Sequence, residues 1–360
     1  MNNNFLKYFR LNLKRSIKPA LIYTIILTLA CLLPIMTIKQ ILVPNFNEGF
    51  ENEQYVTIGT TNIGLMITAL CLIAYISPVK QAYYLMSKKS LDNCYSLPIS
   101  RRNIMIIKVL TGIIETLVPF TLIYIIETIL LELKFPYLYI GYTIPLYFIL
   151  IVSFISLYIF NFFFISRANK IFDGIVFMIF ANFSIFILLF VVIGKFYPIG
   201  RVRNLMEISI PFWSFGRYGN YFNNLILTKY NPITGTILPK NNNVDEFNPN
   251  CLICLVILGL LSAVGLWFLF KKDRPERSEE ISDSYFGYRV MIPLYTFSYM
   301  LFTFTPYLNF LSVTVGVGII IYLILTIIYK RSFKISLKDW MIFGIIFVAV
   351  LIVGLVFLAI

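Results

Sequence analysis

The strongest constraint on this chain is the recurrence of apolar runs about twenty residues long, the length at which a helix crosses a bilayer. They cover Pro19–Val43, Ile58–Val79, Ile104–Leu131, Ile140–Ile165, Gly174–Gly194, Cys251–Phe270, Val290–Thr305, Leu311–Tyr329 and Trp340–Ile360. In hydrocarbon every backbone N–H and C=O must be bonded within the protein, which leaves helices or closed barrels. The runs are continuous rather than alternating, which argues against a barrel. The predicted fold class is therefore all-α, a polytopic helical membrane protein with nine candidate spans. Composition agrees: 13% of the 360 residues are charged and mean hydropathy is +0.82, against roughly 25% charged in a soluble domain.

Charge sets the orientation. Residues 1–18 carry Lys7, Arg10, Lys14, Arg15 and Lys18 among Phe5, Leu6, Phe9, Leu11, Leu13 and Ile17. This is a basic amphipathic segment suited to the headgroup layer of the cytoplasmic leaflet. The run Pro19–Val43 is too long for a removed signal peptide and lacks a small-residue cleavage site. Pro44–Gln54 holds Glu48, Glu51 and Glu53 and no Lys or Arg, and is placed outside. With the N-terminus in the cytoplasm, the segments assigned inside hold 22 of the 30 Lys and Arg residues, as the positive-inside rule requires. Nine spans put the C-terminus outside. A re-entrant piece near Pro306 would lower the count and move the C-terminus to the other side. The net charge of +13 is thus read as topology, not as a nucleic-acid footprint.

Two segments interrupt the runs at greater length. Lys195–Asn250 begins with LMEISIPFWSFGRYGNYF, too apolar for a free loop. It predicts short interfacial or re-entrant helices with Trp213, Tyr218 and Tyr221 at headgroup depth, followed by an exposed loop over Tyr230–Asn250. Residues 271–289 form a mixed-charge cytoplasmic linker, and residues 290–360 supply the last spans.

Few residues offer chemistry. The absence of histidine removes His-activated nucleophiles, HExxH zinc sites and haem ligation. No G-x-x-x-x-G-K-[ST], Gly-rich dinucleotide fingerprint or serine elbow occurs, so no ATPase is expected in this chain. Cys31, Cys71, Cys251 and Cys254 lie in apolar runs and read as small apolar filler, and Cys94 lies in the cytoplasmic stretch. No metal site is predicted. Glu115 is the most unusual residue, about eleven residues into its span and near the midplane at helical rise. An ionisable group there is a functional candidate. The competing reading is a structural Glu bonded to Asn161, Asn182 or a Ser or Thr of a neighbouring span. Glu127 lies nearer the outer surface and reads as interfacial, and Asn161 and Asn182 read as packing contacts.

The polar stretch Ser87–Lys108, SKKSLDNCYSLPISRRNIMIIK, separates two of the runs. It predicts a short amphipathic helix over Lys88 to Ser96, a break at Leu97-Pro98, and a new helix capped by Ser100. Leu91, Cys94 and Tyr95, at i, i+3 and i+4, share one face. Two readings stand: a positive-inside anchor, or a docking helix for a soluble partner.

The run YSLPISRRNIMIIK (95–108) resembles the "SLPI-S/T-R … K" signature after the second span of ABC-2-type transporter permeases of Gram-positive bacteria. FRLNLKRSIKPAL near the N-terminus, FKKDRPERSEE after the sixth span and KRSFKISLKDW later in the chain are similar to basic segments of the same family. The resemblance covers residues 1–280, the six-span core. It implies the transmembrane subunit of an ATP-driven exporter, not itself an enzyme. ATP and magnesium would sit on a separate P-loop ATPase subunit, and the permease would form a homodimer or heterodimer in the cell membrane of a Gram-positive bacterium, among membrane lipids. By the same resemblance residues 1–18 are an elbow helix, and 19–270 are the core. Within that core 88–100 holds the coupling helix and 195–250 the extracellular re-entrant segment. Leu91, Cys94, Tyr95, Leu97, Pro98 and Arg101 would dock the ATPase, and Glu115 is the candidate on the translocation path. The implied cargo is amphipathic or hydrophobic, a peptide, an antimicrobial or a lipid-like molecule, with phenol-soluble-modulin-type peptides as the analogy. Residues 290–360 depart from the six-span pattern by adding two to three spans. A non-transporting sensor or scaffold subunit, and a membrane-embedded transferase, are the alternatives.

Overall fold

The computed structural model describes residues 3–37, 40–44, 54–58, 62–134, 143–196, 228–230, 237–239, 250–269, 287–304, 311–330 and 332–359. Helices carry the architecture: α1 (Asn3–Thr37), α2 (Asn62–Ala82), α3 (Lys88–Tyr95), α4 (Arg101–Lys134), α5 (Thr143–Ile165), α6 (Ile171–Phe196), α7 (Asn250–Leu269), α8 (Tyr288–Phe304), α9 (Leu311–Lys330) and α10 (Leu337–Ala359). Each of the nine apolar runs falls on one of them. Among the described residues six helices are long and apolar enough to cross a membrane: α1, α2, α4, α5, α7 and α10. The described apolar parts of α6 (Ile171–Ile185) and α9 (Val315–Lys330) are shorter, and α8 has 17 residues.

The departure from an all-helical chain is a four-stranded antiparallel sheet in the order β1-β2-β3-β4. β1 (Gln40–Pro44) pairs with β2 (Gln54–Ile58), Gln40 opposite Ile58 and Pro44 opposite Gln54. Val56 of β2 faces Tyr230 of β3 (Thr228–Tyr230), which pairs with β4 (Ile237–Pro239). The first predicted span therefore stops being helical at Thr37, short of Val43, and the second begins at Asn62 rather than Ile58. The reason is local. Ile41, Val43, Val56, Thr57 and Ile58 are β-branched, Tyr55 is aromatic, and Pro44 cannot continue a helix. β3 and β4 likewise replace part of the predicted exposed loop. Residues 197–227, 270–286 and 305–310, which hold the predicted re-entrant segment, most of the charged linker and the Pro306 turn, lie outside the described residues.

The chain divides into two compact units, residues 1–81, 98–160 and 214–264 in the first and 82–97, 161–213 and 265–360 in the second. In the first, α1 lies along α4. The two run parallel, since Asn12 meets Lys108 at one end and Cys31 lies beside Glu127 towards the other. The basic segment from residue 3 to residue 18 belongs to the same unbroken helix as the span that follows, with Pro19 inside it. Lys7, Arg10, Lys14, Arg15 and Lys18 are exposed, while Asn12, Ser16, Tyr23, Leu27, Cys31 and Ile35 form the buried stripe. α4 and α5 are joined by Phe120, Tyr124 and Tyr147, whose rings lie 5.3–6.0 Å apart. The Tyr124 hydroxyl donates to the Thr143 carbonyl at 2.8 Å. α7 meets α5 where Gly259 packs on Ser156. A Cβ on Gly259 would stand 2.8 Å from the Ser156 Cα, the close backbone approach that small residues permit in membranes.

In the second unit α8 packs on α6, α9 and α10. Phe177 meets Tyr288 edge-on at 4.7 Å, Phe180 stacks on Tyr295 at 4.9 Å, and the Tyr288 hydroxyl donates to Asp173 Oδ1 at 2.8 Å. α10 starts with a capping box in which Ser336 N and Oγ both donate to Asp339 Oδ2, at 2.8 and 2.7 Å. Lys330 at the end of α9 also reaches Asp339, so the turn between the two helices is closed by its own charges. The C-terminal helices therefore have their packing partner in α6. Asn182 Nδ2 donates to Asn161 Oδ1 at 2.9 Å, the packing role expected of both.

Candidate functional site

The polar residues of the first unit gather along α4. A 34-residue helix is ~51 Å long, longer than a ~30 Å hydrocarbon core, so its ends project into the interfaces. Ser100 accepts from Asn103 N at 3.4 Å and its carbonyl from Ile104 N at 3.1 Å, which starts α4 as an N-cap does. Lys108 Nζ donates to Asn12 Oδ1 at 2.8 Å and fixes α4 against α1 near the basic end of both. Seven residues on, ~10 Å along the axis, stands Glu115.

Glu115 is 3% exposed and its carboxylate is fully covered. Lys80 Nζ makes an ion pair with Oε1, and Gln81 Nε2 donates to Oε2 at 2.9 Å. The partners are thus neither Asn161 nor Asn182, which bond to each other. Lys80 stands in the last turn of α2, so Glu115 lies level with the end of that helix rather than at the midplane. The Lys80 side chain is 38% exposed, so its amine keeps some water while the acid has none. A buried charge in a low-dielectric site is tolerated when paired and hydrogen-bonded, and this one is.

Two further residues shape the pocket around the acid. The buried Tyr158 ring of α5 lies against α4 at Gly112, where a Cβ would meet its Oη at 2.2 Å and Gln81 Cγ at 2.8 Å. Tyr23 of α1 and Ser77 of α2 adjoin the same centre. α1, α2, α4 and α5 therefore all meet at Glu115. Further along α4, Pro119 removes the N–H that would bond the Glu115 carbonyl. Glu127 follows, ~18 Å from Glu115, 3% exposed and beside Cys31.

The predicted docking stretch divides differently. α3 ends at Tyr95, and Ser87, Ser90 and Tyr84 tie it to the preceding turn: the Ser90 hydroxyl donates to the Ser87 carbonyl at 2.9 Å and to the Tyr84 carbonyl at 3.1 Å. Leu91 is buried at 6% exposure, and Cys94, Tyr95 and Leu97 are half-buried. The exposed side of α3 is Lys88, Lys89, Asp92 and Asn93, with Ser96, Pro98 and Arg101 exposed after it. Next to α3, the Met86 side chain packs on Gly174 at the start of α6. The face of Leu91, Cys94 and Tyr95 is therefore turned at least partly into its own chain.

The sequence pattern singled out Glu115 but not Lys80, Gln81, Gly112 or Tyr158. The signals were present: a lysine inside the last turn of an apolar run, and Gly112 one turn before the acid. Comparison of the chain with protein-family models, with curated proteins and with solved structures finds no match.

Proposed function

We propose that this chain is the permease subunit of an ATP-driven exporter, with ATP hydrolysed on a separate P-loop subunit and an amphipathic or hydrophobic cargo moved outward. The observation that carries the reading is the placement of α3. It is a short, exposed-basic helix inserted between two long apolar helices, and the helices before and after it are stapled by Lys80 and Glu115. A soluble motor that pushed on α3 would push on a connection whose two arms are tied together. The sheet supports the six-span core. Residues 40–58 pair with residues 228–230, which brings the segment before α7 back to the connection between α1 and α2. The acidic, Lys- and Arg-free segment between β1 and β2 favours the outer side for the sheet.

In this reading Glu115 positions helices and does not line an open path, because its carboxylate is covered by Lys80 and Gln81. ATP-driven closure would act through differential contacts of the motor with the two states of the permease. The test is purification of tagged chain from its native membrane in mild detergent, with mass spectrometry of co-purifying proteins. A stoichiometric P-loop ATPase is the expected result. Recovery of the chain alone, with and without crosslinking, would overturn the reading in favour of a scaffold or an enzyme.

A further inference from the structure

We propose that Glu127 is a proton-binding site, its carboxyl carrying a proton where α1 packs on α4. The inference does not rest on the exporter reading.

Glu127 is 3% exposed, no N–H or O–H among the described residues reaches its carboxyl oxygens, and the polar group beside them is the Cys31 thiol, a weak donor. Phe120, Ile123, Tyr124 and Leu131 of its own helix are buried around it. An ionised carboxylate in such surroundings costs far more than a neutral acid unless a cation or several donors compensate it. Among the described residues no helix of this unit carries a Lys or Arg at that level. The stretches Pro19–Thr37 of α1, Asn62–Val79 of α2, and all of α5 and α7 contain no Lys or Arg. The titratable groups that face it are Cys31 from α1 and Tyr124 from α4, with Tyr147 of α5 beside Tyr124. Lys134, the last residue of α4, is seven residues on, ~10 Å along the axis.

A metal ion would need several oxygen ligands, and among the described residues no group of three or more Cys, Asp or Glu assembles. A proton needs neither further ligands nor a cavity. The binding step is Glu127–COO⁻ plus H⁺ from the outer water giving Glu127–COOH. Glu115 provides the contrast on the same helix, since both of its carboxyl oxygens meet polar side chains, Lys80 and Gln81.

Infrared spectroscopy of the protein in lipid bilayers at neutral pH tests this, comparing unlabelled chain with chain carrying ¹³C at the glutamate side-chain carboxyl. The expected result is a protonated-carboxyl C=O band that shifts with the label, disappears in Glu127→Gln and persists in Glu115→Gln. The absence of any label-sensitive protonated band in the wild-type protein would overturn the proposal, as would its persistence in Glu127→Gln. The wild-type spectrum decides the first point without any variant, so a variant that fails to fold does not shield the proposal.

Discussion

The two buried acids of α4 sit on one helix, at the same 3% exposure, and live by opposite rules. Glu115 meets a lysine and an amide from α2. Glu127 meets a thiol from α1 and the rings of its own surroundings. The difference comes from what the facing helices carry at each level. α2 ends in Lys80-Gln81, so the basic end of the bundle can supply a counter-charge. Among the described residues no helix of the unit carries one at the level of Glu127. A buried carboxylate is therefore made affordable in two ways within one seam: by pairing where a cation is within reach, by neutrality where it is not.

The comparison breaks most visibly at Lys80. Lys80→Ala leaves the Glu115 charge covered and uncompensated, a change that costs about 3–5 kcal/mol at a buried pair. The upper part of that range is out of reach here, because the Lys80 side chain is 38% exposed and water screens part of the interaction. The expected outcome is a thermal midpoint in detergent well below wild type, restored in large part by Lys80→Met combined with Glu115→Met. A loss in the double variant equal to the sum of the losses from changing Lys80 and Glu115 singly would mean that the pair is not coupled.

The same conservative change at the two acids sharpens the contrast. Glu115→Gln loses the ion pair but keeps an amide for hydrogen bonding, and is expected to destabilise by about 1–3 kcal/mol. Glu127→Gln replaces a neutral acid by a neutral amide of the same shape and is expected to stay within about 0.5 kcal/mol of wild type. The measurement is the denaturation midpoint of both variants side by side at neutral pH. A large loss at Glu127 with none at Glu115 would reverse the assignment.

Gly112 tests the geometry around the paired acid. A methyl group there runs into the Tyr158 hydroxyl and the Gln81 chain, and overpacking of this kind costs about 1–3 kcal/mol. Gly112→Ala should therefore lower stability, and the loss should be non-additive with Glu115→Gln, because Gln81 is common to both. Additive losses would place Gly112 outside the cluster.

These contrasts also show which parts of the fold can be read from the chain. The apolar runs locate the long helices because the bilayer sets their length. The sheet escapes because β3 and β4 are three residues each and their partners lie far away in sequence. Glu115 is conspicuous as a charge in an apolar run, but its depth is not, because depth depends on how far α4 projects past the end of α2. Lys80 looks like any other lysine at a cytoplasmic boundary. For α3, the spacing of Leu91, Cys94 and Tyr95 defines a face, and no spacing rule says whether that face meets the chain itself or a partner.

That last ambiguity yields the smallest expected effect on stability and the clearest separation of packing from docking. Lys88 and Lys89 are exposed on α3, so Lys88→Glu with Lys89→Glu should leave the denaturation midpoint within about 0.5 kcal/mol of wild type. Leu91→Ala removes a buried side chain and should cost about 2–5 kcal/mol where the site cannot collapse. If α3 is the docking helix, the lysine pair should reduce recovery of the co-purified ATPase while the fold is untouched, because rim charges govern encounter more than packing. Tyr95→Ala and Leu97→Asp, at half-buried positions, should weaken recovery with some loss of stability as well. Full ATPase recovery with both lysines reversed, alongside loss only in the destabilised variants, would show that α3 serves the fold of its own chain and that any motor binds elsewhere.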